Sequence, residues 1–123
     1  MKPGKSGIAR IIDATRYSLR GLRFCWQHEA AFRQEVLLIL VLFPLSFFVA
    51  QRVEQWLLLV IPLVVLLIVE LLNSAIEYAV DRIGPELHEL SGRAKDTASA
   101  AVFLCNLTIG LSWVVIFWNN FVS

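Results

Sequence analysis

Five polar residues recur at helical spacing where an apolar stretch runs out: Glu70, Asn73, Ser74, Glu77 and Asp81. On a wheel with Glu70 at 0°, Asn73 falls at about −60°, Ser74 at about +40°, Glu77 at about −20° and Asp81 at about +20°. All five share one stripe. Along the axis Glu77 lies about 10 Å from Glu70 and Asp81 about 6 Å further, so the stripe climbs from an apolar zone toward water. An ionisable side chain at membrane depth costs at least about 2.5 kcal/mol, which makes Glu70 a functional candidate by default. Carboxylates in such a row offer hard oxygen ligands. Magnesium takes one or two carboxylates from a protein and completes its shell with water and phosphate oxygens, so the row suits a metal nucleotide. The plainer alternative is that Asn73 and Ser74 bond helices together while Glu77 and Asp81 are simply solvated.

Glu29 and Glu35, at the start of the preceding apolar stretch, are natural companions of the row if adjacent helices bring them to one depth. Glu29 is equally placed as an i,i+4 partner of Arg33. The common nucleotide-binding motifs G-x-x-x-x-G-K-[ST], G-x-G-x-x-G and H-R-D do not occur, so phosphate would have to be met by side chains such as Arg10, Arg93 and Lys95. Lys95 also reads as a snorkelling interfacial lysine. His28 and His88 lack metal-ligand spacing, and Cys25 and Cys105 form neither a ligand pair nor a disulfide framework, so both cysteines read as reduced packing residues.

The elements that must carry these groups are membrane helices. The 123 residues support one domain, and 58% of them are hydrophobic, above the usual soluble range. Uncharged stretches cover 36–51, 55–69 and 97–123, and the surrounding pattern gives spans at 30–51, 55–83 and 93–118. LLILVLF and WLLLVIPLVVLLIV are apolar all round, whereas a helix in water keeps a polar face. Pro44 and Pro62 fall mid-span, a position membrane helices tolerate. Gly84-Pro85 is a stop signal after Ile83, and the polar loop PELHELSG leads to a helix restarting near Arg93.

Residues 1–27 read as an amphipathic surface helix. Ile8, Ile11, Ile12, Thr15, Leu19, Leu22 and Trp26 fall on one arc, with Arg10, Asp13, Arg16, Tyr17, Arg20 and Arg23 opposite, and Gly21 is expected to interrupt it. Seven Lys/Arg against two acids in residues 1–33 suit an anionic membrane surface, and no nucleic-acid partner is expected. Arg52 is the one basic residue in the link between the first two spans, and the tail after Trp118 has none. The positive-inside tendency therefore places the N-terminus and the Asp81 to Asp96 loop in the cytoplasm, and the C-terminus outside. No short apolar core precedes a small-residue cleavage site, so no removable signal peptide is expected.

The segment VELLNSAIEYAVDRIGPELHELSGRAKD at 69–96, with AFRQE at 31–35 and RIIDATRYS near the start, closely resembles the prokaryotic diacylglycerol kinase family over nearly the whole chain. The resemblance implies an all-α integral membrane homotrimer in the bacterial inner membrane, with the C-terminus periplasmic. It implies phosphorylation of diacylglycerol with magnesium ATP to give phosphatidic acid. It further implies Glu70 as base, Glu29 and Glu77 as metal ligands, and Arg10, Tyr17, Glu29, Glu77, Glu86, Leu87, His88, Lys95 and Asp96 around the nucleotide. Lipid contacts carried over in the same way are Arg10, Ala14, Ala31, Phe32, Arg33, Gln34, Glu35, Glu70, Ser99, Trp113 and Trp118. This sequence departs from the family pattern at Arg16, where a small residue is expected, at Pro85, and at Leu87, which replaces an aromatic. One rival keeps the fold and changes the lipid to undecaprenol. Another is a non-enzymatic transporter or channel subunit with Glu70 as an ion site, which gives no reason for Glu86, His88, Lys95 and Asp96 to cluster outside the membrane.

Overall fold

A computed structural model describes residues 6–84 and 88–123. The chain runs through four helices: α1 (Ile8–His28), α2 (Ala30–Val49), α3 (Val53–Ile83) and α4 (Glu89–Phe121). Three of them, α2, α3 and α4, are long and apolar enough to cross a membrane. The expected all-α architecture, one N-terminal helix and three spans, is the observed one. Pro44 and Pro62 sit inside α2 and α3 without ending them.

Several bounds differ from the sequence reading: α1 runs to His28, α2 ends at Val49 rather than 51, α3 begins at Val53 rather than 55, and α4 runs to Phe121 rather than 118. Gly21 does not interrupt α1, which is continuous over 21 residues. One glycine costs a helix about 1 kcal/mol, which the rest of α1 outweighs. The last helix begins at Glu89, before the expected Arg93, because His88 caps it: its Nδ1 accepts the Leu90 N–H at 3.0 Å. That bond satisfies one of the amides a helix start leaves open. The α1–α2 break falls on Glu29, whose extended backbone (φ −114°, ψ 106°) turns the chain from one helix axis to the next. On α1, Ile8, Ile11, Ile12 and Leu19 are exposed, an apolar face left for something outside the chain. Asp13, assigned to the outward polar arc, is instead buried.

The core is narrow. α3 packs most extensively on α4 and next on α2. Its buried positions Gln55, Leu59, Leu63, Leu66, Glu70 and Ser74 recur every three or four residues and so form one seam. Against that seam α4 sets Ala98, Ile109 and Ile116, and α2 sets Phe32 and Ser46. Most other apolar side chains are exposed, including Leu40, Phe48, Ile61, Leu104 and Val114, as lipid-facing residues should be.

The end of the bundle away from the carboxylate row is closed by amides. Asn120 Nδ2 donates to Gln55 Oε1 and to the Val49 carbonyl, both at 2.8 Å, and Gln55 Nε2 returns a bond to Asn120 Oδ1 at 3.1 Å. The Gln51 N–H donates to Gln55 Oε1 at 2.9 Å. One turn before Pro62, the Trp113 indole N–H donates to the Leu59 carbonyl at 3.2 Å. These bonds tie the end of α4 to the α2–α3 link. Asn120→Ala should therefore lower resistance to unfolding in SDS-containing micelles by about 1–2 kcal/mol, the range of an interhelical bond plus a stranded partner. An unchanged unfolding midpoint would show the cluster to be dispensable.

Candidate active site

Glu70 is 4% exposed and lies at the centre of the three spanning helices, in the same seam as Leu63 and Leu66. Ser74, one turn on, is 1% exposed. Glu77 is half-buried and Asp81 is exposed. Burial thus falls along the row as its helical climb predicts. Asn73 lies beside the Glu70 carboxylate, and the charges of Glu77 and Glu29 act on it. Glu35 reaches the same zone from α2 and feels Glu70 directly. One Glu35 oxygen, Oε2, and the Asn73 Oδ1 are buried without a hydrogen-bond partner.

Four carboxylates, Glu29, Glu35, Glu70 and Glu77, therefore interact across three elements. Their mutual repulsion is the kind of charge a bound cation relieves. Among the described residues no three metal-ligating side chains converge on one point. A site offering one or two carboxylates still fits magnesium, which draws its remaining ligands from water and phosphate. The donor set, oxygen only, is also the right one for a hard cation.

Glu29 sits at the helix break rather than on a helix. Its carboxylate accepts a hydrogen bond from the Tyr78 hydroxyl of α3. Arg33 does not pair with it: the guanidinium Nη1 donates to the Trp26 carbonyl at 2.7 Å. The i,i+4 alternative for Glu29 is thus not the arrangement adopted. Cys25, one turn before Glu29, is buried, and burial pushes its thiol above the usual range, in keeping with an inert packing residue.

At the wet end Lys95 Nζ donates to Asp81 Oδ1 at 2.8 Å, linking α4 to α3 beside the row. Arg93 pairs with Glu89 on its own helix, and Asp96 is exposed. His88 is exposed as the α4 cap. Glu86 and Leu87, assigned to the nucleotide, lie outside the described residues. Of the residues assigned to lipid, Phe32 is buried, Arg33 and Glu35 are half-buried, and Ala31, Gln34 and Ser99 are exposed.

Other assigned residues lie along α1 and α4. Arg10 and Ala14 are on the first half of α1, and Arg10 is about 22 Å along that helix from Cys25, which lies beside Tyr78 of α3. Tyr17 lines an apolar cleft of about 680 Å³ between α1 and α3, with Phe24, Leu71, Ala75 and Tyr78 among its other walls. Trp113 is spent on the Leu59 carbonyl, and Trp118 is exposed near the end of α4, some 28 Å along the helix from Ser99. Sequence reasoning missed Tyr78, whose type and place after Glu77 carry no catalytic signal. It also missed Gln51, Gln55, Asn119 and Asn120, where amide residues at the ends of apolar stretches were the one available hint.

Three membrane-crossing helices around a buried carboxylate, with further carboxylates leading out to water, define a polytopic membrane protein whose site bridges the apolar interior and the aqueous edge. Residues 16–117 match the family model for prokaryotic diacylglycerol kinase. The chain is 44% identical to the diacylglycerol kinase of Escherichia coli (strain K12) over 121 residues, covering 98% of this chain and 99% of that protein. It is 48% identical to the diacylglycerol kinase of Pseudomonas aeruginosa over 114 residues, 92% of each chain. With the Haemophilus influenzae diacylglycerol kinase it shares 44% over 108 residues, 88% of this chain and 92% of the relative. The chain belongs to the prokaryotic diacylglycerol kinase family, and it is accordingly a membrane-embedded lipid kinase.

A carboxylate buried in an apolar seam without a cationic partner among the described residues is a burden on the fold. Glu70→Leu should raise stability by about 1 kcal/mol or more, as removing buried charge often does. The SDS unfolding midpoint measures it, and a fall on substitution would mean that the Asn73 contact satisfies the carboxylate in the fold.

Proposed function

We propose that the protein phosphorylates diacylglycerol with ATP at the cytoplasmic edge of the bacterial inner membrane, giving phosphatidic acid and ADP. The observation that carries this is the burial of Glu70 at the dry end of a graded carboxylate row, in a chain that matches the family along almost its whole length. A diacylglycerol hydroxyl resides near the headgroups while ATP stays in water, so the site has to join the two. The row does that by running from one to the other.

In the proposed step the lipid hydroxyl oxygen bonds to the γ-phosphorus, the bond from that phosphorus to the ADP oxygen breaks, and the hydroxyl proton passes to the Glu70 carboxylate. In a loose transition state the proton transfer can lag, and most of the acceleration comes from positioning and charge neutralisation. Glu29 and Glu77 would hold magnesium, whose charge offsets that of the phosphate oxygens. Lys95, already held beside the row by Asp81, would meet phosphate, with Arg10, Tyr17, Glu86, Leu87, His88 and Asp96 completing the nucleotide site. Glu35 and its neighbours 31–34, with Ala14, Ser99, Trp113 and Trp118, would contact the lipid.

The chain would work as a homotrimer, N-terminus in the cytoplasm and C-terminus in the periplasm. Two observations support assembly. Most apolar side chains of the three spans are exposed, leaving faces for a second copy, and Arg10 lies about 22 Å along α1 from Cys25, whose neighbour Phe24 packs on Tyr78 of α3. A neighbouring copy's α1 would bring an Arg10 to the carboxylate row. The names of the relatives favour diacylglycerol over a polyprenol as substrate.

Purified protein in mixed micelles with magnesium ATP and either diacylglycerol or undecaprenol tests the reading: phosphorylated diacylglycerol should form, and no product from either lipid would sink it. Glu70→Gln should reduce turnover by about 10²-fold or more while leaving ATP binding in place. Parallel loss of ATP binding would remove Glu70 from the base role. Glu77→Gln should raise the magnesium concentration needed for half-maximal rate, and an unchanged magnesium dependence would take Glu77 out of the metal site.

A further inference from the structure

Glu29 is the only residue between α1 and α2, and its backbone is neither helix. Its own N–H donates to the Cys25 carbonyl at 2.8 Å and its carbonyl accepts from the Arg33 N–H at 3.2 Å, so the main chain is held from both sides. Those bonds leave the side chain unfixed. What fixes it is Tyr78 of α3, whose hydroxyl donates to Glu29 Oε1. The Tyr78 ring is in turn set by packing: Phe24 meets it edge-on at 5.4 Å between centroids, and the buried Cys25 lies nearby. Tyr78 follows Glu77 directly, so the bond ties the helix break to the very turn of α3 that carries the second carboxylate.

We propose that Tyr78 is a positioning residue for the cation site, its hydroxyl holding one oxygen of Glu29 so that the other is presented to the same cation as Glu77. This rests on the reading of Glu29 and Glu77 as metal ligands. A carboxylate that is free to rotate must be ordered when the metal binds, whereas one already hydrogen-bonded through one oxygen has met that cost in folding. Groups that orient a ligand in this way typically change metal affinity 10–100-fold when removed. A phenol suits the role because it is a single donor on a rigid ring with few rotatable bonds. Phenylalanine at 78 would keep the ring contact with Phe24 and lose only the donor.

The test is manganese binding to the purified protein in micelles with a non-hydrolysable ATP analogue, read by electron paramagnetic resonance, beside the magnesium and diacylglycerol dependence of turnover. Tyr78→Phe should weaken manganese binding about tenfold and raise the magnesium requirement similarly, with KM for diacylglycerol within about twofold of the native value. In a Glu29→Gln background the same substitution should add little, because the hydroxyl would have no ligand left to orient. Phe24→Ala keeps the hydroxyl while loosening the ring that carries it, and should weaken manganese binding by less than Tyr78→Phe does. Native manganese affinity in Tyr78→Phe overturns the inference alone, provided Glu29→Gln weakens binding. Full additivity of the two substitutions, or a loss in Phe24→Ala as large as in Tyr78→Phe, overturns it by showing that general packing sets the affinity. Unchanged binding in Glu29→Gln removes the metal-ligand reading and this inference with it.

Discussion

A carboxylate in the middle of three apolar helices is the constraint around which the rest of the molecule is arranged. Lipid cannot solvate Glu70, so the side chain must face protein, and α3 must be rotated to turn that face inward along its whole length. Because the buried positions of a straight helix repeat every three or four residues, the orientation that buries Glu70 also buries Leu66, Leu63 and Leu59 below it and Ser74 above. The core of the protein and the proposed base therefore share one seam. That explains why the buried core is so slender, since lipid covers the other faces.

The two ends of that seam are finished differently. At the far end, Asn120, Gln55 and Gln51 saturate one another and the Val49 carbonyl, fixing α4 against the α2–α3 link. At the carboxylate end two acceptors, Glu35 Oε2 and Asn73 Oδ1, are buried and unpartnered, whereas the one such atom near the amide end is a donor, the Trp56 indole nitrogen. One end holds the fold, and the other holds acceptors for which the chain itself supplies few donors. Buried polar groups in that condition are expected where a ligand is to be met.

α1 relates to this frame mainly through its C-terminal turns. Cys25 and Phe24 touch α3 through Tyr78, whereas the first half presents Ile8, Ile11 and Ile12 outward. A helix with an exposed apolar face and a basic opposite face is suited to the bilayer surface. The break at Glu29 is where that surface direction gives way to a crossing direction. It is also where the structure places a carboxylate held by α3 through Tyr78, so the hinge and the proposed cation site share one residue.

The three spans, the row on α3 and the climb of that row from dry to wet were legible in the residues themselves. Hydrophobic length and helical period are local properties, and a strongly apolar environment leaves the backbone almost no alternative to helix. The helix start at Glu89 and the continuity through Gly21 escaped because a cap and a tolerated glycine are decided by single bonds and small energies. Two facts belong to tertiary structure alone. Helix-wheel reasoning gives the angle of Glu29 or Tyr78 on its own element but says nothing of two elements meeting, so the hydroxyl–carboxylate bond could not be anticipated. Nor could the sequence separate Trp118 from Glu70, since motif order is silent about distance and only the packed helices set it. The carboxylate row and its polarity were written in the sequence; which side chain holds Glu29 in place was decided by packing.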